Sequence, residues 1–326
     1  MKKIFTDVAS DSYKNFGEEK LIQEAIKIYD TSVLPAPYGS GDDCALIKSK
    51  SLKENVFVTT DSVIAGVHFD LNDNSKKVGE KLINRNASDI AAMGANPTYA
   101  QTSVIVSPRL SIKWVREFLH GMKSAADALN IKFIGGDLAS VKHDFFSAHL
   151  TLIGQSNTRP LLRTGAEIGD FLFVTGALGA SYESKWHLEF SPKIEQGKWL
   201  AKQKEVKSAI DITDGLASDL PKILPKNSYA VLDSKNLPIK KFKGNNFDKA
   251  MCDGEDYELL FAVSEKANIK NLKKKYLKKF GTEIFCIGKI VDLNSKNLSA
   301  SVKKESRIFI SDNDKIVPYI KKAFSH

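Results

Sequence analysis

A chain of 326 residues has room for two domains of ordinary size, and its 42% apolar and 27% charged residues match a water-soluble globular protein. The net charge of +9 comes mostly from lysine, and no apolar run approaches the roughly 18–20 residues that a membrane span needs. Cys44, Cys252 and Cys286 are isolated, with no CxxC pair, which argues against a disulfide framework and a structural zinc site. Asp7 interrupts Met1-Lys2-Lys3-Ile4-Phe5 before a signal-peptide core can form, so the expected location is the cytoplasm.

Along the chain, Asn55–Asp61 carries Val56-Phe57-Val58 and predicts a strand. Lys77–Met93 predicts a helix with Leu82, Ile83, Ala87, Ile90 and Ala91 on one face. Thr98–Val106 predicts a strand that Pro108 stops, and Ser111 is a suitable N-cap for a helix reaching about Leu129. Ile131–Ile134 and Phe145–Gly154 predict two further strands. The stretch from Ser156 to Asp170 is polar and contains Pro160, Gly165 and Gly169. It is the expected junction between an N-terminal domain, residues 1–156, and a C-terminal domain, residues 157–326.

Beyond the junction, strands are expected at Phe171–Thr175, Lys207–Ile212, Tyr229–Leu232, Glu258–Val263 and Glu283–Ile290. Helices are expected within Ala177–Lys204 and from about Asp214. Between the last two strands, Lys270–Phe280 looks at first like a nucleic-acid tract. Leu272, Tyr276 and Phe280 recur at helical spacing, however, which puts the lysines on the wet faces of an amphipathic helix. Mixed α and β without strict alternation predicts an α+β fold.

Six short acidic motifs carry the chemistry: Gly41-Asp42-Asp43, Thr59-Thr60-Asp61, Ala87-Ser88-Asp89, Gly135-Gly136-Asp137, Asp211-Ile212-Thr213-Asp214-Gly215 and Asp253-Gly254-Glu255-Asp256. Several follow an apolar, β-prone run, so strand ends are expected to deliver carboxylates to one place. Converging carboxylates repel unless cations neutralise them. Hard oxygen ligands suit Mg²⁺, which completes its shell with water and substrate phosphates. No GxxxxGK[ST] sequence is present, so ATP would be held by metal-bound aspartates and loop backbone rather than by a P-loop. Taken singly, the motifs have plainer readings: Gly41-Asp42-Asp43 and Asp253-Gly254-Glu255-Asp256 as turns, and His68 beside Phe69 as a packed histidine.

Taken in order, GDDCA (41–45), TTDSVIAGVHF (59–69), NASDIAAMGA (86–95), IGGD (134–137), LLRTGAEIGD (161–170), DITDGL (211–216) and GEDYEL (254–259) resemble thiamine-monophosphate kinase across nearly the whole chain. That family lies within an aminoimidazole-ribonucleotide-synthetase-like superfamily. The resemblance implies two domains, an N-terminal α/β domain that dimerises through its sheet and a C-terminal α+β domain, with ATP in the cleft between them. It implies Mg²⁺ contacts, direct or through water, at Asp43, Thr59, Thr60, Asp61, Asp89, Asp137, Asp211 and Asp214, with K⁺ as a further candidate cation. It implies ATP contacts at Gly136, Asp137, Arg163 and Thr213, and thiamine monophosphate contacts at His68, Glu255 and Phe324. The sequence departs from the family pattern at Ser40, at Leu138-Ala139 and at Asp253. Related selenophosphate synthetases carry a reactive residue in their N-terminal segment, whereas the first 43 residues here contain no cysteine. The expected activity is ATP-dependent phosphorylation of thiamine monophosphate, with no nucleic-acid or membrane partner.

Overall fold

The computed structural model describes residues 20, 37–38, 42–47, 54–293, 306–312 and 315–320. The first half builds a five-stranded sheet from β1 (Ala45–Ile47), β2 (Asn55–Ile64), β3 (Asn96–Val106), β4 (Lys132–Ser140) and β5 (Phe146–Ser156), in the order β1-β2-β5-β3-β4. Two helices, α1 (Ser75–Ala92) and α2 (Ile112–Ala128), connect these strands. The Asn74 and Ser111 side chains cap them, accepting from Lys77 N and Trp114 N, so the sequence-predicted cap at Ser111 is present. Val78, Leu82, Ile83, Ala87 and Ile90 of α1 pack with Phe118 and Met122 of α2 and with Phe57, Ala100, Ala148 and Leu150 of the strands.

The second half builds a seven-stranded sheet from β6 (Phe171–Val174), β7 (Val206–Asp211), β8 (Ser228–Asp233), β9 (Leu259–Val263), β10 (Phe285–Asp292), β11 (Ile308–Asp312) and β12 (Lys315–Pro318). Its order is β12-β11-β8-β10-β6-β9-β7, antiparallel except for the β11–β8 pair. Helices α3 (Trp186–Glu189), α4 (Ile194–Lys202), α5 (Leu216–Ile223), α6 (Phe247–Cys252) and α7 (Ile269–Phe280) join the strands. All five residues of β9 are buried. Leu260 and Ala262 enter one apolar cluster while Leu259, Phe261 and Val263 enter another, so this strand is covered on both faces. On α7, Leu272 and Tyr276 are buried and the lysines face water, as the spacing predicts.

Two strands run further than sequence patterning suggests. Thr59-Thr60-Asp61 lies inside β2, whose pairing with β5 continues unbroken from Asn55↔Ser156 to Ile64↔Ser147. Gly135-Gly136-Asp137 lies inside β4, opposite a register shift between Ala100 and Gln101. The backbone ladder to a neighbour decides these lengths, and polar side chains do not end it. The short elements β1, α6, β11 and β12 were not foreseen. The Phe324 expectation falls outside the described residues.

Close helix packing brings the halves together through α1. A Cβ on Gly197 of α4 would lie 1.9 Å from Ala91 O, and one on Gly121 of α2 would lie 1.9 Å from Lys76 O. Backbone occupies both positions, so an added methyl must push helices apart. Gly197→Ala and Gly121→Ala should each destabilise the fold by about 1–3 kcal/mol in denaturant titrations. Unchanged unfolding midpoints would show that these contacts do not set the helix spacing.

Candidate active site

Helix α1 is buried along most of its length and still carries Lys81, Arg85, Ser88 and Asp89. These residues stand at helical spacing on one side, so a polar stripe runs down a packed helix. It faces Asp61 of β2 on one side and Asp211 and Glu255 of the second half on the other.

At the C-terminal end of the stripe, Asp43, Asp89 and Asp211 each offer a carboxylate oxygen, and these oxygens lie within 4.8 Å of one another. They come from the turn before β1, from α1 and from the last residue of β7. Each is held by a donor. Thr59 Oγ1 donates to Asp89 Oδ2 at 2.5 Å, and Ser88 Oγ donates to Asp211 Oδ2 at 2.6 Å. Arg163 donates to Asp43 Oδ1 through Nη2 at 2.6 Å and Nε at 3.2 Å, and its backbone N–H donates to the Asp42 carboxylate. Asp43 Oδ2 is buried with no hydrogen-bond partner among the described residues.

Burial, with repulsion from Asp211, Asp61 and Asp43, pushes the Asp89 carboxyl well above its usual range. Burial and Asp43 do the same to Asp211. Asp43 is raised by burial although Arg163 opposes the shift, and Asp42 is pushed up to about 7 by burial and by Asp43. Clustered carboxylates of this kind, with one oxygen left unpaired, suit a hard divalent cation.

Further along α1, Arg85 Nη2 pairs with Asp61 Oδ1 at 3.0 Å and its Nη1 donates to Ser62 O at 2.6 Å. Lys81 Nζ lies 2.7 Å from Glu255 Oε1. Glu255 and Tyr257 both adopt left-handed backbone, with φ of 52°. Their N–H groups donate to Thr213 O and Ile212 O, which ties the GED motif to the DITDG motif. Left-handed non-glycine residues cost energy and cluster at functional sites.

The structure therefore brings together Asp43, Thr59, Asp89, Asp211 and Arg163, with Asp61 and Glu255 further along the same stripe. His68 is buried, and its Nδ1 accepts from Ile64 N at 3.1 Å. Thr60 points to the opposite face of β2, where its hydroxyl donates to Leu150 O. Gly136 and Asp137 lie exposed on the edge strand β4, Gly136 against Thr102. Asp214 pairs with Lys222 at 2.9 Å, while Thr213 N and Asp214 N both donate to Asp219 Oδ2. Sequence reasoning missed Lys81, Arg85, His187 and Tyr257 as members, and it noted Ser88 only within the Ala87-Ser88-Asp89 motif. The available signal was the recurrence of charge at positions 81, 85 and 89, at helical spacing beside the apolar Val78, Leu82 and Ile90.

Residues 41–155 match the family described as AIR synthase related protein, N-terminal domain, and residues 169–300 match AIR synthase related protein, C-terminal domain. The chain is 33% identical over 319 residues to the thiamine-monophosphate kinase of Buchnera aphidicola subsp. Acyrthosiphon pisum, covering 88% of this chain and 92% of that protein. Among solved structures it resembles thiamine-monophosphate kinase from Stenotrophomonas maltophilia, with TM-score 0.67 and 27% identity over 87% of this chain and 94% of that one. It shares its fold with AaThiL complexed with AMPPCP and TMP, with TM-score 0.75 and 24% identity over 98% of both chains.

The raised carboxyls give the cation-free protein a definite pH response. An acid whose folded pKa lies above its unfolded value stabilises the fold at low pH, and that contribution is lost as pH rises through the folded value. With Asp42 near 7 and Asp89 and Asp211 raised, the melting temperature in chelator should rise as pH falls from 8 to 6.5. His187, pushed down to about 4 chiefly by burial, opposes this trend below that window. Added Mg²⁺ should raise the melting temperature more at pH 8 than at pH 6.5. A flat or reversed pH trend in chelator would contradict carboxylate crowding at this site.

Proposed function

The chain belongs to the thiamine-monophosphate kinase family, and on that premise we propose that it transfers the terminal phosphoryl group of ATP to thiamine monophosphate, yielding thiamine diphosphate and ADP. The observation that carries this assignment is the convergence of Asp43, Asp89 and Asp211 beside Arg163, with Asp43 Oδ2 unpaired. Those carboxylates would hold Mg²⁺, with Asp61 in reserve on the neighbouring strand. An Mg²⁺ held there would supply charge neutralisation for the transferring phosphoryl group.

The acceptor is a phosphate oxygen, anionic near neutral pH, so no side chain has to remove a proton from it. The chain's own work is to place two mutually repelling anions in line. Thr59 and Ser88 fix the rotamers of Asp89 and Asp211 through short hydrogen bonds. Arg163 forks onto Asp43 and keeps 24% of its side chain exposed, which leaves an edge of the guanidinium to meet a nucleotide phosphate. Burial works against ionisation of Glu255, yet Lys81 and Arg85 hold its carboxyl below the usual range. An ionised carboxylate at that position suits the cationic thiazolium ring of the acceptor.

A homodimer formed through the first sheet fits the exposure of Phe133, Ile134 and Leu138 on β4, since an apolar edge strand favours pairing with another chain. The free thiols of Cys44, Cys252 and Cys286 accord with a cytoplasmic enzyme.

Incubation with ATP, Mg²⁺ and thiamine monophosphate should give thiamine diphosphate and ADP, with thiamine a poor acceptor. Equal phosphorylation of thiamine and its monophosphate would refute an anionic nucleophile. Asp89→Asn and Asp211→Asn should each lower kcat by at least about a hundredfold, because several kcal/mol of charge stabilisation are lost. Removing one of several repelling carboxylates should also raise the melting temperature in chelator. Wild-type turnover in both variants at limiting Mg²⁺ would remove these residues from the centre.

A further inference from the structure

Lys81 has no exposed side-chain surface and sits between the two halves of the chain. Its ammonium has three N–H groups and meets three acceptors: Glu255 Oε1 at 2.7 Å, His68 O at 2.6 Å and His187 Nδ1 at 3.0 Å. Each acceptor belongs to a different segment, respectively the turn before β9, the loop after β2, and α3. Lys81 is thus fully satisfied, and it joins His68 and Glu255, two of the three residues at which the family resemblance places the acceptor substrate.

The surroundings show that Glu255 depends on this contact. Its backbone is left-handed, so local preference does not fix its carboxylate. Tyr257 Oη donates to the same oxygen at a longer 3.2 Å, and Glu255 Oε2 lies 3.5 Å from His187 Nδ1. With Nδ1 accepting from Lys81, the imidazole proton belongs on Nε2, which is buried without a hydrogen-bond partner among the described residues. A buried ion pair adds little to stability compared with apolar packing of the same volume. Stability alone therefore does not account for the convergence of polar groups on Lys81.

We propose that Lys81 is a positioning residue for the acceptor: it holds the Glu255 carboxylate ionised and ties it to the His68 loop, making one recognition edge for the cationic rings of thiamine monophosphate. This rests on the kinase assignment above. Lys81 acts through Glu255 and His68 and does not touch the transferring phosphoryl group.

The arrangement has a pH signature. Burial pulls the Lys81 ammonium down to about 8, although Glu255 opposes the shift. The groups facing it are Glu255, His187, Arg85 one turn along α1, and Asp73 before that helix. Burial and Lys81 hold His187 neutral, pushing it down to about 4, and Arg85 stays charged. Of these groups, Lys81 is the one moved into the range from pH 7 to 9. Its deprotonation leaves Glu255 as a buried charge without its partner, so acceptor recognition weakens as pH rises.

The test measures kcat/KM for thiamine monophosphate at saturating ATP and Mg²⁺, from pH 7 to 9.5, in the wild type, Lys81→Arg, Lys81→Met and the double variant Lys81→Met/Glu255→Gln. The wild type should lose acceptor kcat/KM above about pH 8, whereas Lys81→Arg should stay flat because guanidinium does not titrate there. At pH 7.5, Lys81→Met should lose about 10- to 100-fold in acceptor kcat/KM, the range for a hydrogen bond to a charged group, with KM for ATP within about twofold of wild type. The double variant should be at least as impaired toward the acceptor as Lys81→Met, since it lacks the carboxylate that Lys81 holds ionised, and should show no alkaline limb, since it buries no unpaired charge. It decides the matter if Lys81→Arg does not fold. Wild-type pH limbs in Lys81→Arg or in the double variant, or equal losses toward ATP and acceptor in Lys81→Met, would overturn the proposal while wild-type activity upheld the kinase assignment. A wild type that forms no thiamine diphosphate would overturn both.

Discussion

Everything at this site follows from crowding carboxylates into a place that water barely reaches. Ionised oxygens within 4.8 Å of one another repel by about 3 kcal/mol per pair at an effective dielectric near 20. A flexible segment would relieve that repulsion by moving away. Asp43, Asp89 and Asp211 cannot, because a turn against β1, the buried helix α1 and the end of β7 hold them, and Thr59, Ser88 and Arg163 fix their side chains. The fold keeps unfavourable charge in position, and a divalent cation with phosphate ligands would remove the penalty. The same preorganisation serves catalysis, since groups that are already placed need not reorganise as the phosphoryl group moves.

Helix α1 is the common support. Its apolar residues anchor it to the first sheet, and its polar stripe reaches the aspartates at one end and Glu255 at the other. Gly197 allows the backbone of α4 to touch that of α1, so the second half sits close enough for Ser88 to reach Asp211 and for Lys81 to reach Glu255. The aspartate cluster and Glu255 are therefore spaced by the pitch of one helix rather than by loops.

The carboxylate motifs were legible in sequence because glycine, threonine and aspartate together are poor core residues and have a plain use as oxygen ligands. The α7 lysines were legible too, since Leu272 and Tyr276 fix which face is buried. What sequence could not supply was long-range pairing. Thr59, Thr60 and Asp61 read as one ligand triplet, but strand alternation turns Thr59 and Asp61 toward α1 and Thr60 away, where it meets Leu150 O. Gly136 and Asp137 extend an edge strand whose length depends on β3. Lys81 looks like any helix-surface lysine until His187, 106 residues away, is folded over it. A buried cation has no local signature; its partners define it.

The central claim is that Asp43, Asp89 and Asp211 hold Mg²⁺ jointly with the phosphates of ATP. Thermal unfolding with Mg²⁺ alone, with a non-hydrolysable ATP analogue alone, and with both tests it most directly. A ligand at a hundredfold excess over its Kd stabilises the native state by about 2.7 kcal/mol. Shared coordination predicts that the combined shift in melting temperature exceeds the sum of the separate shifts, and that Asp211→Asn abolishes the excess. Strictly additive shifts in the wild-type protein would show that metal and nucleotide bind independently, which would contradict a carboxylate centre built to receive them together.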